Sequence, residues 1–391
     1  MNRPVRIAMV AGEASGDLLG GRLIEALRRR LPEAEFFGVG GPKMIAAGFT
    51  SWLAQEKLAV RGLVEVVKHL RELLALRSEL FQRLVATQPQ LFVGIDSPDF
   101  NLGLERRLKR SGVATVHLVS PQVWAWRPGR VHTMRRAVSH MLVLFPFEEA
   151  IYRDAGLPVT YVGHPLADDI PEHIDRDAAR VELRLPALVP IVAVLPGSRQ
   201  SEIDMMAGPF IETVKLVARR TPGVRFLVPL ITRETRELFE TAVYRHGAQD
   251  LPLTLLFGHA RDALIACDVA LAASGTVTLE AALSRRPMVI AYRVAPLSYA
   301  IARRLVRVQH IGLPNILCDE SVVPEFIQDD VTPENLAQAV CNLLADEPIR
   351  RAVERRFTRL HAEMRRDAAE RAADALLALV GGPRTLAYQS A

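Results

Sequence analysis

Five short loops, each between a β-rich run and a helical pattern, hold side chains whose types and spacing could do chemistry. The plainest is Leu195-Pro196-Gly197-Ser198-Arg199-Gln200-Ser201-Glu202-Ile203-Asp204. An apolar run ends there, Gly-Ser-Arg follows, and Ser201-x-x-Asp204 reads as a capping box that opens a helix. Backbone N–H groups at a helix start, the positive end of its dipole and one arginine together suit a diphosphate. A purely structural turn has no need of Arg199.

The loop Gly94-Ile95-Asp96-Ser97-Pro98-Asp99-Phe100-Asn101 puts two carboxylates and an amide after another apolar run. A carboxylate at a strand tip suits a general base that takes the proton of an attacking hydroxyl. Ser, Pro, Asp and Asn also form turns, so a plain turn competes with that reading. Asp99, just before a helical pattern, is the better cap, and Asp96, at the strand tip, is the better base. In Gly12-Glu13-Ala14-Ser15-Gly16-Asp17 the two glycines permit a tight turn and close approach by a ligand. Glu13, Ser15 and Asp17 are its candidate contacts, with helix N-capping the rival role for Asp17.

Two of the three tryptophans fall in Ser120-Pro121-Gln122-Val123-Trp124-Ala125-Trp126-Arg127-Pro128-Gly129-Arg130. Trp124 and Trp126 suit an apolar sugar face or an acyl chain, and Arg127 suits a phosphate. Core packing of the two rings is the competing use. The fifth loop, Ser274-Gly275-Thr276-Val277-Thr278-Leu279-Glu280, again runs from strand end to helix start. Glu280 could accept hydrogen bonds from ribose hydroxyls or merely complement the helix dipole. Further on, Asn315 and Gln328 supply amides suited to a base or a sugar, and ordinary loop polarity explains either equally well.

These loops need a frame. Val5–Val10, Glu35–Val39, Gln90–Ile95, Val113–Val119, His140–Leu144 and Val159–Val162 read as strands, alternating with helical stretches such as Leu18–Arg30, Val64–Ala86 and Leu102–Arg110. His164–Asp177 is polar and proline-bearing and reads as a linker. A second set follows: Ile191–Leu195, Val224–Pro229, Leu253–Phe257, Val269–Ala272 and Met288–Ala291, then a charged helix over about Ile349–Leu379. Continuous apolar strands alternating with helices imply parallel, doubly wound sheets. The expected class is therefore α/β, with Rossmann-like domains at 1–168 and 169–345 facing a central cleft and a helical segment at 346–391. Ligands of such sheets bind at the carboxyl ends of the strands.

With 49% hydrophobic and 24% charged residues the chain cannot be a disordered one. The net charge of +5 leans toward anionic partners. Cys267, Cys318 and Cys341 share no metal-ligand spacing and read as reduced thiols. No GxxxxGK[ST] occurs, and Gly38-Val39-Gly40-Gly41 has the wrong spacing for a dinucleotide fingerprint, so P-loop and nicotinamide chemistry are disfavoured. The opening MNRPVRIAMVAGE lacks a signal-peptide pattern, and no run nears the roughly 18 apolar residues of a membrane span. A cytoplasmic chain with peripheral membrane contact at most is expected.

Together the segments AGEASGD, GVGGPKM, GIDSPDFN, SPQVWAWR, FPFE, GHPL, LPGSRQSEI, ASGTVTLE, VIAYRV, LPNILC and PEFIQ give a nearly end-to-end resemblance to the lipid-A-disaccharide synthases. The resemblance implies a GT-B fold and an inverting, metal-independent glycosyltransferase without a cofactor. It implies UDP-2,3-diacylglucosamine and 2,3-diacylglucosamine 1-phosphate as substrates, joined β-1,6, with UDP released. Carried over by position, Asp96 becomes the base and Arg199 the diphosphate ligand, with Gly197 and Ser198 shaping its loop. Ser274, Gly275, Thr276, Glu280, Asn315 and Gln328 fall in the UDP pocket. No nucleic-acid partner is implied.

The resemblance also gives sense to the stretch from Leu63 to Val85. Its apolar residues at 63, 66, 67, 70 and 74 lie among Lys68, Arg71, Arg77 and Arg83. Such a stripe suits the cytoplasmic surface of the inner membrane as well as it suits core packing. A homodimer formed by exchange of C-terminal parts is a further family property. Another UDP-sugar GT-B transferase, a UDP-sugar epimerase, or a membrane-surface scaffold that binds UDP-sugars without turnover are the alternatives.

Overall fold

The computed structural model describes residues 4–58, 63–126, 129–295, 299 and 309–381. The chain divides into two compact units: residues up to Asp168 together with those from Met364 on, and Asp169–Glu363.

In the first unit seven strands, β1 (Arg6–Ala11), β2 (Glu35–Val39), β3 (Thr50–Leu53), β4 (Leu91–Ile95), β5 (Ala114–Leu118), β6 (His140–Val143) and β7 (Val159–Tyr161), make one sheet. Its order is β3-β2-β1-β4-β5-β6-β7. Every pairing is parallel. Helices cover both faces, so β4 is buried at all its positions and reads as one apolar run. Ala11 pairs with Ile95 and Ile95 with Leu118, so the loops after β1, β4 and β5 start side by side. The strand order reverses between β1 and β4, the place where doubly wound sheets bind ligands.

The second unit has six strands: β8 (Ile191–Leu195), β9 (Arg225–Leu230), β10 (Leu253–Phe257), β11 (Val269–Ala273), β12 (Met288–Tyr292) and β13 (Glu325–Ile327). Their order is β10-β9-β8-β11-β12-β13, all parallel. Phe210, Val214 and Val217 from the helix Gln200–Arg220 share its core with Leu336, Ala337 and Val340. Leu195 pairs with Ala272 and Ala273 with Ala291, which aligns the loops after β8, β11 and β12.

Each strand read from the sequence is present to within a residue or so at its ends. Two strands were not expected, β3 and β13. Both are edge strands of three or four residues, too short for alternation to register. The stretch read as a linker contains one short helix, Pro165–Asp169, and ends in the first residues of a second, Arg176–Glu182.

The single charged helix expected over about Ile349–Leu379 is in fact two, Glu347–Met364 and Ala368–Gly381. Asp367 breaks it, with φ at 54°. The Asp168 carboxylate then accepts the N–H groups of Arg366, Asp367 and Ala368 at 2.8–3.0 Å, satisfying donors that open the second helix. That second helix lays Ala368, Ala372, Ala373 and Leu376 against Leu23, Ile24 and Leu27 in the first unit's core. Asp168→Ala removes all three acceptor contacts and should cost about 1–2 kcal/mol, by analogy with lost helix caps. A lowered thermal midpoint with unchanged UDP affinity is the expected reading, and an unchanged midpoint would show the break is set by Asp367 alone.

Candidate active site

At the tip of β4 the main chain enters an unusual turn. Asp96 and Ser97 both adopt positive φ, 52° and 44°. For residues with a Cβ this left-handed region costs roughly 1–2 kcal/mol each, so two in succession need support from their surroundings. The Asp96 N–H donates to Leu118 O at 2.9 Å, and its carbonyl accepts from Asn101 Nδ2 at 2.8 Å. Asp96 is half-buried, and no described residue hydrogen-bonds or ion-pairs with its carboxylate. Gly12, after β1, lies against this turn: a Cβ there would stand 2.6 Å from Ser97 Oγ. The first and second loops of unit 1 therefore meet.

The other acidic candidates are committed elsewhere. Asp17 is not an N-cap of its own helix, which begins at Ala14 after Glu13. It is buried one turn in, and its carboxylate accepts from the N–H groups of Gly41, Lys43 and Met44 at 2.9 Å. It thus caps the neighbouring helix Pro42–Ala46, which follows the adjacent strand β2. Asp99 does not cap either. Ser97 is the residue before the helix Pro98–Arg110, and Asp99, inside the first turn and 88% exposed, pairs with Arg130. Ser15 is exposed in the first turn of its helix.

The tryptophan loop divides. Trp124 is half-buried and meets the edge of Phe147, which stacks on Phe145, which in turn stacks on His164. Arg127 and the side chain of Trp126 lie outside the described residues. Beneath this aromatic row Glu148 is buried, and burial pushes its carboxyl up to about 7. The Phe145 N–H and the Ser120 and Trp124 side chains hold it lower than burial alone would. Sequence reading passed over Glu148, although its place three residues into the helix after Phe145 is a capping-box spacing.

In the second unit the helix after β8 starts at Gln200, with Arg199 before it. The capping carboxylate is Glu202, not Asp204: its Oε2 accepts from the Ser198 and Arg199 N–H groups at 2.8 and 3.2 Å. Glu occupies the third helical position there, two residues earlier than the Asp204 of the box read from Ser201. Gly197 makes the turn at φ 133°. The Arg199 guanidinium is 68% exposed and lies 3.4 Å from Glu202 Oε1. Tyr292, at the end of β12, feels both charges, and burial raises its hydroxyl pKa.

One strand over, Ser274 N–H donates to Ala291 O, and Gly275 precedes the helix Thr276–Leu283. Glu280, in that helix's second turn, is largely buried. Burial raises its pKa, and Arg261 at 3.4 Å offsets part of the rise.

The two amides face inward. Asn315 sits in a helix, Leu313–Cys318, rather than a loop. It donates to Val323 O at 2.8 Å and to Glu325 Oε1 at 2.7 Å, and it accepts from Val323 N–H. Glu325 also takes the N–H groups of Ile311 and Gly312. Gln328, at φ 51°, exchanges both side-chain hydrogen bonds with the Val294 main chain. Both amides thus fix the loops after β12 and before β13. Among the described residues no three His, Cys, Asp or Glu side chains group as metal ligands would, and no helix is long and apolar enough to cross a membrane.

A family model described as lipid-A-disaccharide synthetase matches residues 7–376. The lipid-A-disaccharide synthase of Dechloromonas aromatica (strain RCB) is 54% identical over 378 residues, 96% of this chain and 99% of that protein. Its counterpart in Aromatoleum aromaticum is 55% identical over 372 residues, covering 95% of each. Among solved structures, a putative UDP-N-acetylglucosamine 2-epimerase from Listeria monocytogenes superposes with a TM-score of 0.65 at 10% identity, covering 99% of this chain and all of that one. A glycosyltransferase from Rickettsia africae gives 0.61 at 8%, covering 98% and 100%. At such identities the structural likeness speaks for the fold alone, the GT-B arrangement of two parallel sheets with flanking helices.

Proposed function

The chain belongs to the lipid-A-disaccharide synthetase family, and from that premise we propose a division of labour between its two sheets. It is a glycosyltransferase of lipid A disaccharide synthesis, acting on a UDP-sugar and a glycosyl acceptor. The donor is UDP-2,3-diacylglucosamine and the acceptor 2,3-diacylglucosamine 1-phosphate. Asp96 takes the proton from the acceptor's 6-hydroxyl as that oxygen attacks the anomeric carbon from the face opposite UDP. The configuration inverts, the β-1,6 bond forms and UDP leaves.

One observation carries the choice of base. Asp96 stands half-buried at a strand tip with its carboxylate unengaged by any described residue, whereas Asp17 is spent on three N–H groups and Asp99 on Arg130. The leaving diphosphate is met by Arg199, by the main chain of Gly197 and Ser198, and by the N-terminus of the helix that Ser274, Gly275 and Thr276 introduce. Glu280 holds the ribose. Asn315 and Gln328 serve the uridine side through the loops they brace. Glu13, Ser15 and Trp124 line the acceptor side, with Trp126 and Arg127 in the same loop. No metal is needed, because a guanidinium and helix ends carry the charge that a cation would otherwise neutralise.

Support for a membrane seat comes from the helix Leu63–Thr87. Leu73, Leu76, Leu80 and Leu84 pack into the core, while Leu70 and Leu74 are 46% and 45% exposed. An apolar pair left out of the core, near Arg71, suits shallow insertion at the cytoplasmic surface of the inner membrane, where acylated substrates reside. A homodimer that exchanged the helix Ala368–Gly381 would keep that helix's core contacts and change only their owner.

Incubation with both acylated monosaccharides in excess EDTA, followed by mass spectrometry, tests the reaction. The disaccharide 1-phosphate and UDP should appear in equal amounts, at the rate seen without chelator. A new UDP-sugar with the acceptor untouched would mean an epimerase. Loss of activity with rescue by Mg²⁺ or Mn²⁺ would overturn the metal-free mechanism.

A further inference from the structure

Behind the β4 tip lies a polar cluster that the reaction as described does not use. Asn101 is fully buried, and its amide nitrogen reaches three carbonyls: Asp96 O at 2.8 Å, Val10 O at 3.3 Å and Ile95 O at 3.4 Å. One turn along the same helix Glu105, also fully buried, bonds Nδ1 of the buried His117 on β5 at 2.7 Å. Glu105 Oε1 presses so close to β4 that a methyl at Gly94 would overlap it. Asn101 Oδ1, Glu105 Oε2 and His117 Nε2 are buried without a hydrogen-bond partner among the described residues.

Such a cluster is a poor way to fill a core. Each buried polar atom left unpaired costs stability, and apolar side chains of the same shape would pack there without that cost. What Asn101 does supply is a donor for the Asp96 carbonyl at the left-handed strand end. The strain at residues 96 and 97 persists only where something over-determines it. Asn101 does so by tying Asp96 to the ends of β1 and β4 together.

We propose that Asn101 is a positioning residue for Asp96, holding the β4 tip in its left-handed turn, with the Glu105–His117 pair wedging the helix against the strand behind it. Asn101 touches no substrate and acts only through the base. The proposal rests on Asp96 being that base.

The test is a double-mutant cycle on the full chain, with Asp96→Asn, Asn101→Leu and the pair. Asn101→Leu keeps the side chain's size and removes its donor. A displacement of the base by about 1 Å is enough to lower kcat about 10²-fold. The expected result is a kcat drop of about 10–10² in Asn101→Leu, with KM for both sugars and UDP affinity unchanged within about twofold. In the Asp96→Asn background the second substitution should have no further effect, which a merely structural role would not give. If the leucine variant melts early, Asn101→Ala introduces no bulk and is read in the same way. Wild-type turnover in the Asn101 variants, or losses that multiply in the double variant, would overturn the positioning role and leave the base assignment standing. Near-normal turnover in Asp96→Asn alone would overturn both.

Discussion

Asp96→Asn should lower turnover about 10²–10⁴-fold, the usual worth of a positioned general base. Asparagine keeps the shape and much of the hydrogen bonding of the side chain, but it takes no proton at neutral pH. UDP affinity should stay within about twofold, since a group acting only in the transition state lowers kcat and kcat/KM together. Asp99→Asn is the control. Its side chain is 88% exposed and, among the described residues, tied only to Arg130, a surface pairing worth roughly 0–1 kcal/mol, so its turnover should stay close to wild type. Steady-state rates with both substrates, read beside calorimetric UDP titrations, decide the matter. An active Asp96→Asn with a dead Asp99→Asn would move the base to Asp99.

The second large effect is expected at Arg199. As the anomeric bond breaks, negative charge grows on the UDP phosphates, and only a group that binds this charge more tightly than the ground state raises the rate. Arg199→Ala should lose about 10²–10³-fold in kcat, the range seen when one preorganised stabiliser is removed. Arg199→Lys should fall in between, because lysine keeps the charge and loses the planar fork that matches two phosphate oxygens. UDP should bind more weakly to both. The guanidinium is 68% exposed and, among the described residues, holds only a 3.4 Å pairing to Glu202, so stability should change little. Wild-type turnover in Arg199→Ala, with an unchanged melting midpoint, would reduce Gly197-Ser198-Arg199 to a turn and move the diphosphate elsewhere.

How far the sequence could be read depended on the kind of signal. Strands buried on both faces, such as Ile191–Leu195, announce themselves as unbroken apolar runs, and the residue at which each one ends marks where a loop begins. The strand tips were therefore legible, and with them Asp96, Arg199 and Ser274. Partnership at a distance was not. Nothing near Asp17 in the chain says that it serves Gly41, Lys43 and Met44, which enter through a different strand–helix connection. Asn315 and Gln328 were read as ligand-facing amides or as plain loop polarity, because a loop-like stretch conceals that Val323, Glu325 and Val294 return to meet them. Glu202 was legible in principle, three residues after Arg199. The nearby Ser201 drew the capping box two residues too far.

The helix Ala368–Gly381 sets an order of events on the ribosome. Domains made of contiguous chain usually fold in the sequence in which they emerge, the N-terminal one first. Here the unit that begins the chain needs Ala368, Ala372, Ala373 and Leu376 for its core, and those residues are among the last of the described chain to be made. The unit spanning Asp169–Glu363 is contiguous and has its core residues in hand before that helix exists. The first-made sheet therefore waits, with Leu23, Ile24 and Leu27 uncovered, while the later-made unit can close. A stalled or shortened chain lacking that helix would consequently damage its beginning rather than its end, and the unit bearing Asp96 is the one that would go unfinished.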